Sequence, residues 1–130
     1  MQILVTAPGA GENDSLYPES VRDRLESLGD VDYNESDEQF SPAELRERLA
    51  GVDVCLTGWG CPELSEAVLA EADSLELVAH VGGSVASIAS DALYDRGTPV
   101  VSANHVMAPF VAEGVLAYTL SALRDVPRLD

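Results

Sequence analysis

Apolar residues arrive along this chain in short bursts, and helix-like stretches separate them. Gln2-Ile3-Leu4-Val5-Thr6-Ala7 is the first burst, and its composition predicts a buried strand. Val21, Leu25 and Leu28 then fall at i, i+4 and i+7, which predicts a helix over Ser20 to Leu28 with Gly29 as its stop. Val31-Asp32-Tyr33 is a short second strand. Ser41-Pro42-Ala43-Glu44 forms a capping box with proline at the first helical position. The helix it opens carries Leu45 and Leu49 on one face and ends near Gly51.

The same alternation continues to the end. Val52 to Thr57 is a third strand, and the loop Gly58-Trp59-Gly60-Cys61-Pro62 leads to a helix through Val68, Leu69 and Ala72. Leu75 to Val81 is a fourth strand. A short helix from Ser90 to Arg96 stops at Gly97, and Pro99-Val100-Val101-Ser102 is a fifth strand. A last helix runs from about Ala108 to Arg124, with Val111, Val115 and Tyr118 along one stripe. Alternating strands and helices with short connections imply a parallel sheet covered on both faces. The expectation is an α/β fold, a flavodoxin-like doubly wound sheet of five strands in the order 2-1-3-4-5. Such sheets bind ligands beyond the carboxyl ends of their strands. The loops at Pro8 to Asp14, Gly58 to Pro62, Gly82 to Ser84 and Ala103 to Pro109 are therefore the places to look.

Charge narrows the classes of ligand. The chain carries 23 Asp and Glu against 7 basic residues, for a formal net charge of −16. Every basic residue is an arginine. A surface this acidic repels nucleic acid and anionic membranes. Self-repulsion is screened at about 1 M salt, where the Debye length is roughly 3 Å, so the composition resembles that of halophilic proteins. The 130 residues suit one domain, no basic and apolar leader opens the chain, and the expected compartment is the cytoplasm. Cys55 lies in an apolar run and Cys61 in a loop; with no histidine nearby, their spacing does not make a zinc site.

Gly82-Gly83-Ser84 stops the fourth strand abruptly. If Val85 onward coils into helix, the N–H groups of Gly83, Ser84 and Val85 form a cradle for an anion such as a carboxylate. The alternative is a turn that takes glycine for its backbone alone. His80, just before it, is either a hydrogen-bond donor lining the crevice or a satisfied histidine beneath the flanking helix. Trp59, between two glycines, walls a small pocket or covers its own domain. His105 sits in the loop after the fifth strand. Gly9-Ala10-Gly11-Glu12-Asn13-Asp14 lacks the third glycine of a dinucleotide turn, and its two carboxylates repel phosphate. A phosphoacceptor receiver domain needs an aspartate where Thr57-Gly58 stands and a lysine that this chain lacks.

The stretch from Leu75 to Leu123 resembles the D-isomer-specific 2-hydroxyacid dehydrogenases. The resemblance lies in the loop Gly82-Gly83-Ser84, in Arg96-Gly97-Thr98-Pro99-Val100, and in Val111-Ala112-Glu113 opening a long helix. The TGWG stretch at Thr57 to Gly60 is similar to one branch of the family. The resemblance implies a substrate-binding domain over residues 1–107 and an inter-domain helix over 108–130, truncated before a cofactor domain that uses NAD or NADP. It implies that Gly82, Gly83 and Ser84 hold the carboxylate of a small 2-hydroxy or 2-oxo acid, with Trp59 and His80 as walls and Met107 and Ala108 toward the cofactor. Ala86-Ser87 replaces the usual Asp-Asn, and Met107-Ala108 the usual Asn-Thr. No position matches the family's catalytic Arg, Glu and His, so no catalytic residue is assigned. The last helix is expected to want a partner, either a second copy or a complementary cofactor domain.

Overall fold

A computed structural model describes residues 1–10 and 16–125. Strands β1 (Gln2–Val5), β2 (Asp30–Tyr33), β3 (Val54–Thr57), β4 (Leu77–His80) and β5 (Val100–Ser102) form one sheet. All pairings are parallel and the order is β2-β1-β3-β4-β5, as the alternation of the sequence predicts. Helices α1 (Glu19–Glu26), α2 (Pro42–Arg48), α3 (Asp91–Asp95) and α4 (Asn104–Leu123) complete the fold.

Successive strand residues point to opposite faces, so a sheet covered on both sides needs unbroken apolar runs. Leu4 and Val5 are neighbours in sequence, both fully buried, in two separate core clusters. Leu4, Cys55 and Val78 face the first cluster, where Leu45, Leu49, Leu64, Leu69, Ile88 and Leu93 close over them. Val5, Ala7, Ala10 and Tyr17 make the second, with half-buried Leu25, Val31, Tyr33, Leu56 and Val81.

Local chemistry sets the helix ends. Ser41 Oγ accepts from the Glu44 N–H at 3.3 Å, and the Ser41 N–H donates to Glu44 Oε2 at 2.8 Å. This reciprocal pair starts α2, with Pro42 where no N–H is required. Ser90 caps α3 through Leu93 N–H, and Gly97, at φ +74°, turns the chain out of it.

Four expectations are corrected. The predicted helix through Val68, Leu69 and Ala72 is a single 3₁₀ turn, Leu69–Glu71. Its carbonyls find another donor: the Arg96 guanidinium bonds Leu69 O at 3.1 Å and Ala72 O. After Gly82-Gly83-Ser84 the chain makes a turn at residues 86–88, not a helix, because Ile88 and Ala89 both donate back to Val85 O and the chain then bridges to Leu64. Helix α1 ends at Glu26, and Val21 and Leu28 of its predicted stripe are exposed; Leu25 alone packs against the core. Helix α4 opens at Asn104, ahead of the expected Ala108, because the Val106 and Met107 N–H groups already bond Ala103 O.

No residue of α4 is buried. Val115, Leu116, Leu120 and Leu123 are all exposed, and Tyr118 is 80% exposed. The helix is apolar on every side. By length and composition it could cross a membrane; buried core helices have the same length and composition, but α4 is exposed.

Candidate functional site

The carboxyl ends of the strands share one property. Thr57 pairs with His80 and His80 with Ser102 in the sheet register, and Val5 pairs with both Leu56 and Tyr33. One step on, Thr6 lies level with Thr57 and Asn34. Asn34, Thr6, Thr57, His80 and Ser102 therefore form a polar row across all five strands, above an apolar core. The first four are buried.

Most of the row is tied down. Asn34 Nδ2 donates to Thr6 O at 3.1 Å and to Glu38 O at 2.9 Å, which folds the loop after β2 back on the sheet. Thr57 Oγ1 and His80 Nδ1 lie 3.0 Å apart. His80 is only 5% exposed, and burial lowers its pKa below the ordinary value of 6.5, so its ring is neutral at pH 7. Cys61 is buried, and desolvation pushes its thiol up to about 11; Thr6 Oγ1 is buried with no hydrogen-bond partner among the described residues. Cys55 is a buried thiol that desolvation raises further. Both cysteines are free.

The glycine loop grows out of this row. A Cβ on Gly82 would lie 2.5 Å from His80 Nε2 and 2.9 Å from its Cδ2, so the imidazole fills the space a side chain would need. The Ala103 N–H donates to both His80 O at 3.2 Å and Gly82 O at 3.0 Å, which pins the loop beneath the start of α4. A Cβ on Gly83 would meet Asn104 Oδ1 at 3.3 Å. Among the described residues, the N–H groups of Gly83, Ser84 and Val85 have no acceptor. Ser84 Oγ instead accepts from the Ala86 N–H at 3.3 Å, closing the turn behind them.

The remaining sequence candidates fall as follows. Trp59 is 60% exposed; its carbonyl accepts from Gln39 Nε2 at 2.7 Å, so the backbone of its loop is held while its ring stands free. His105 is exposed in the first turn of α4. Met107, half-buried, and Ala108, exposed, lie within α4. Gly11 to Asp14 lie outside the described residues. Sequence reasoning missed Thr6, Asn34 and Thr57. The signal that could have found them is a polar residue ending each apolar burst at register-equivalent positions.

An open cavity of about 460 Å³ lies at the carboxyl end of β2, lined by Asp32, Glu38, Glu44 and Arg48 among others. Its Arg48 is already engaged with Asp32 at 2.8 Å and stacks over Phe40. Its carboxylates disfavour an acidic ligand. Among the described residues no cluster of His, Cys, Asp and Glu could hold a metal ion.

Comparison with known proteins places this geometry. Residues 13–128 match the family model of the D-isomer specific 2-hydroxyacid dehydrogenase catalytic domain. The D-3-phosphoglycerate dehydrogenase of Methanocaldococcus jannaschii is 27% identical over 128 residues, covering 98% of this chain and 22% of that protein. The TT0316 protein of Thermus thermophilus superposes with a TM-score of 0.69 at 26% identity, over 97% of this chain and 38% of the other. The PH0520 protein of Pyrococcus horikoshii shares the fold at TM-score 0.74 and 17% identity, over 99% and 35%. The chain thus spans well under half the length of these relatives. With a polar row at the strand ends, a glycine loop rising from it and a family model matched over most of its length, the chain belongs to the D-isomer specific 2-hydroxyacid dehydrogenases.

Proposed function

We propose that this chain is the substrate-binding part of an NAD(P)-dependent 2-hydroxyacid dehydrogenase. It holds the carboxylate of a small 2-hydroxy or 2-oxo acid on the N–H groups of Gly83, Ser84 and Val85. One observation carries the reading: three consecutive amides without an acceptor among the described residues, at the carboxyl end of β4. Backbone donors suit this protein. They bind an anion with no lysine or arginine in the site, and the acidic surface supplies none there. Trp59 and His80 would bound the pocket on the β3 and β4 sides.

In this reading the chain binds and orients, and the nicotinamide group supplies the hydride chemistry. The described residues do not fit a resident dinucleotide. Gly82-Gly83-Ser84 leads into a turn, so no helix N-terminus follows it directly to receive a pyrophosphate. Met107 and Ala108 offer apolar contact only. The cofactor therefore belongs to a further part of the enzyme, and the chain alone is inactive. The exposed apolar surface of α4 is where that part, or a second copy, would pack. Glu113 lies midway along α4, and a carboxylate at the centre of a bilayer costs about 2.5–3.5 kcal/mol, which favours a protein partner and a cytoplasmic home over a membrane.

Titrating ¹⁵N-labelled chain with pyruvate tests the reading. Saturable shifts of the Gly83, Ser84 and Val85 amides are expected, with no NADH oxidation by the chain alone. A flat titration at these amides removes the binding role, and NADH turnover removes the claim of inactivity.

A further inference from the structure

Thr57 and His80 lie side by side on neighbouring strands, and both are buried. Their 3.0 Å contact can be made in two ways. If Nδ1–H donated to Thr57 Oγ1, the threonine hydroxyl would need another acceptor, and none is found among the described residues. Thr57 is fully buried, so water cannot serve. A buried donor left without an acceptor costs more than an ordinary hydrogen bond contributes. The reverse arrangement satisfies both groups: Thr57 O–H donates to Nδ1, and the proton of the neutral ring sits on Nε2.

That nitrogen faces the glycine loop. It is the His80 atom nearest the place where a Gly82 Cβ would stand. Nε2 has no partner among the described residues and is not among the buried side-chain atoms sealed without one. We infer that Thr57 fixes His80 as a neutral Nε2–H donor aimed at the mouth of the Gly82–Ser84 loop, where it adds a fourth hydrogen-bond donor for the bound carboxylate. Thr57 is then a positioning residue acting through the ring, and His80 a binding residue. The inference rests on the proposed carboxylate site, and it extends that site from backbone donors to a side chain whose protonated nitrogen is chosen by its neighbour. In the unliganded chain burial lowers the pKa of the ring, which favours its neutral form.

Long-range ¹H–¹⁵N correlation of the imidazole reads the tautomer directly in the unliganded chain. Expected is a protonated Nε2 and an unprotonated Nδ1. Pyruvate should then shift the Nε2 resonance together with the Gly83, Ser84 and Val85 amides. Thr57→Val, which keeps the shape and removes the hydroxyl, should populate both tautomers and weaken pyruvate binding about tenfold. Thr57→Ser should restore both. A wild-type chain with the proton on Nδ1 overturns this inference and leaves the amide loop standing. Loop shifts without an Nε2 shift do the same. Loop amides that ignore pyruvate overturn the inference and the underlying site together. Thr57→Val binding pyruvate as the wild type does removes the positioning role, and the tautomer measurement on the unmodified chain stands even if that variant does not fold.

Discussion

On one face of the sheet Leu45, Leu49, Leu64, Leu69 and Leu93 are sealed beneath α2, the 3₁₀ turn and α3. On the other face α1 offers Leu25, half-buried, and none of its residues is buried. Both faces come from the same five strands, yet one is a closed core and the other a partial cover. The row residues Thr6, Thr57 and His80 stand at even spacing from Leu4, Cys55 and Val78, and so share the face with the deep core. Thr57 and His80, proposed to shape the ligand site, thus stand on the face with the larger buried cluster, an arrangement that helps to hold binding geometry.

Unequal truncation costs are the sharpest test of that contrast. Leu45→Ala should destabilise the chain by about 2–5 kcal/mol, the range for a fully buried leucine. Leu25→Ala should cost about 1 kcal/mol or less, since it removes little area from water. Urea unfolding of both variants decides it, and equal losses would dissolve the distinction between the faces.

A second test probes the junction of the deep face and the loop. Gly82→Ala places a methyl group against the His80 ring and should cost about 1–3 kcal/mol, the usual penalty for overfilling a packed site. His80→Ala should relieve most of that penalty. A double-mutant cycle reads this coupling. Additive losses would mean that the ring does not dictate the glycine.

Salt should produce the smallest change per group and act on the whole surface. Raising salt from about 0.1 M to about 1 M shortens the screening length from about 10 Å to about 3 Å. With a net charge of −16, the melting temperature should rise by several degrees. The exposed ion pairs Arg48–Asp32 and Arg46–Glu71 offset little of this, at about 1 kcal/mol or less each. Calorimetry across the salt range checks it; a flat or falling curve contradicts the halophilic reading of the composition.

The fold was legible in the sequence because most strands are apolar bursts and α2 and α3 open on serine caps. The capping box at Ser41 and the stop at Gly97 are local, and local chemistry suffices to read them. The failures have non-local causes. Val68, Leu69 and Ala72 have spacing that suits a helix or a tight turn, and Arg96, distant in sequence, supplies the hydrogen bonds that choose the turn. Val21 and Leu28 have the right period, but α1 crosses the sheet where only Leu25 reaches it. The loop at Gly82 was legible as a candidate, though the reason for its first glycine was hidden: His80, two residues earlier, occupies the space. Thr57 looked ordinary because its importance lies in standing opposite His80, and pairing of strands is not written in either strand alone.

The level row of polar side chains also limits how this protein can change. Along β3 and β4, Leu56 and Ala79 precede Thr57 and His80 and point to the opposite layer. A single-residue insertion or deletion within either strand would lift hydrocarbon into the ligand crevice and drive a hydroxyl or an imidazole to the wrong side of the sheet. Connecting loops at the surface can lengthen over generations, but those two short segments can only be edited letter for letter.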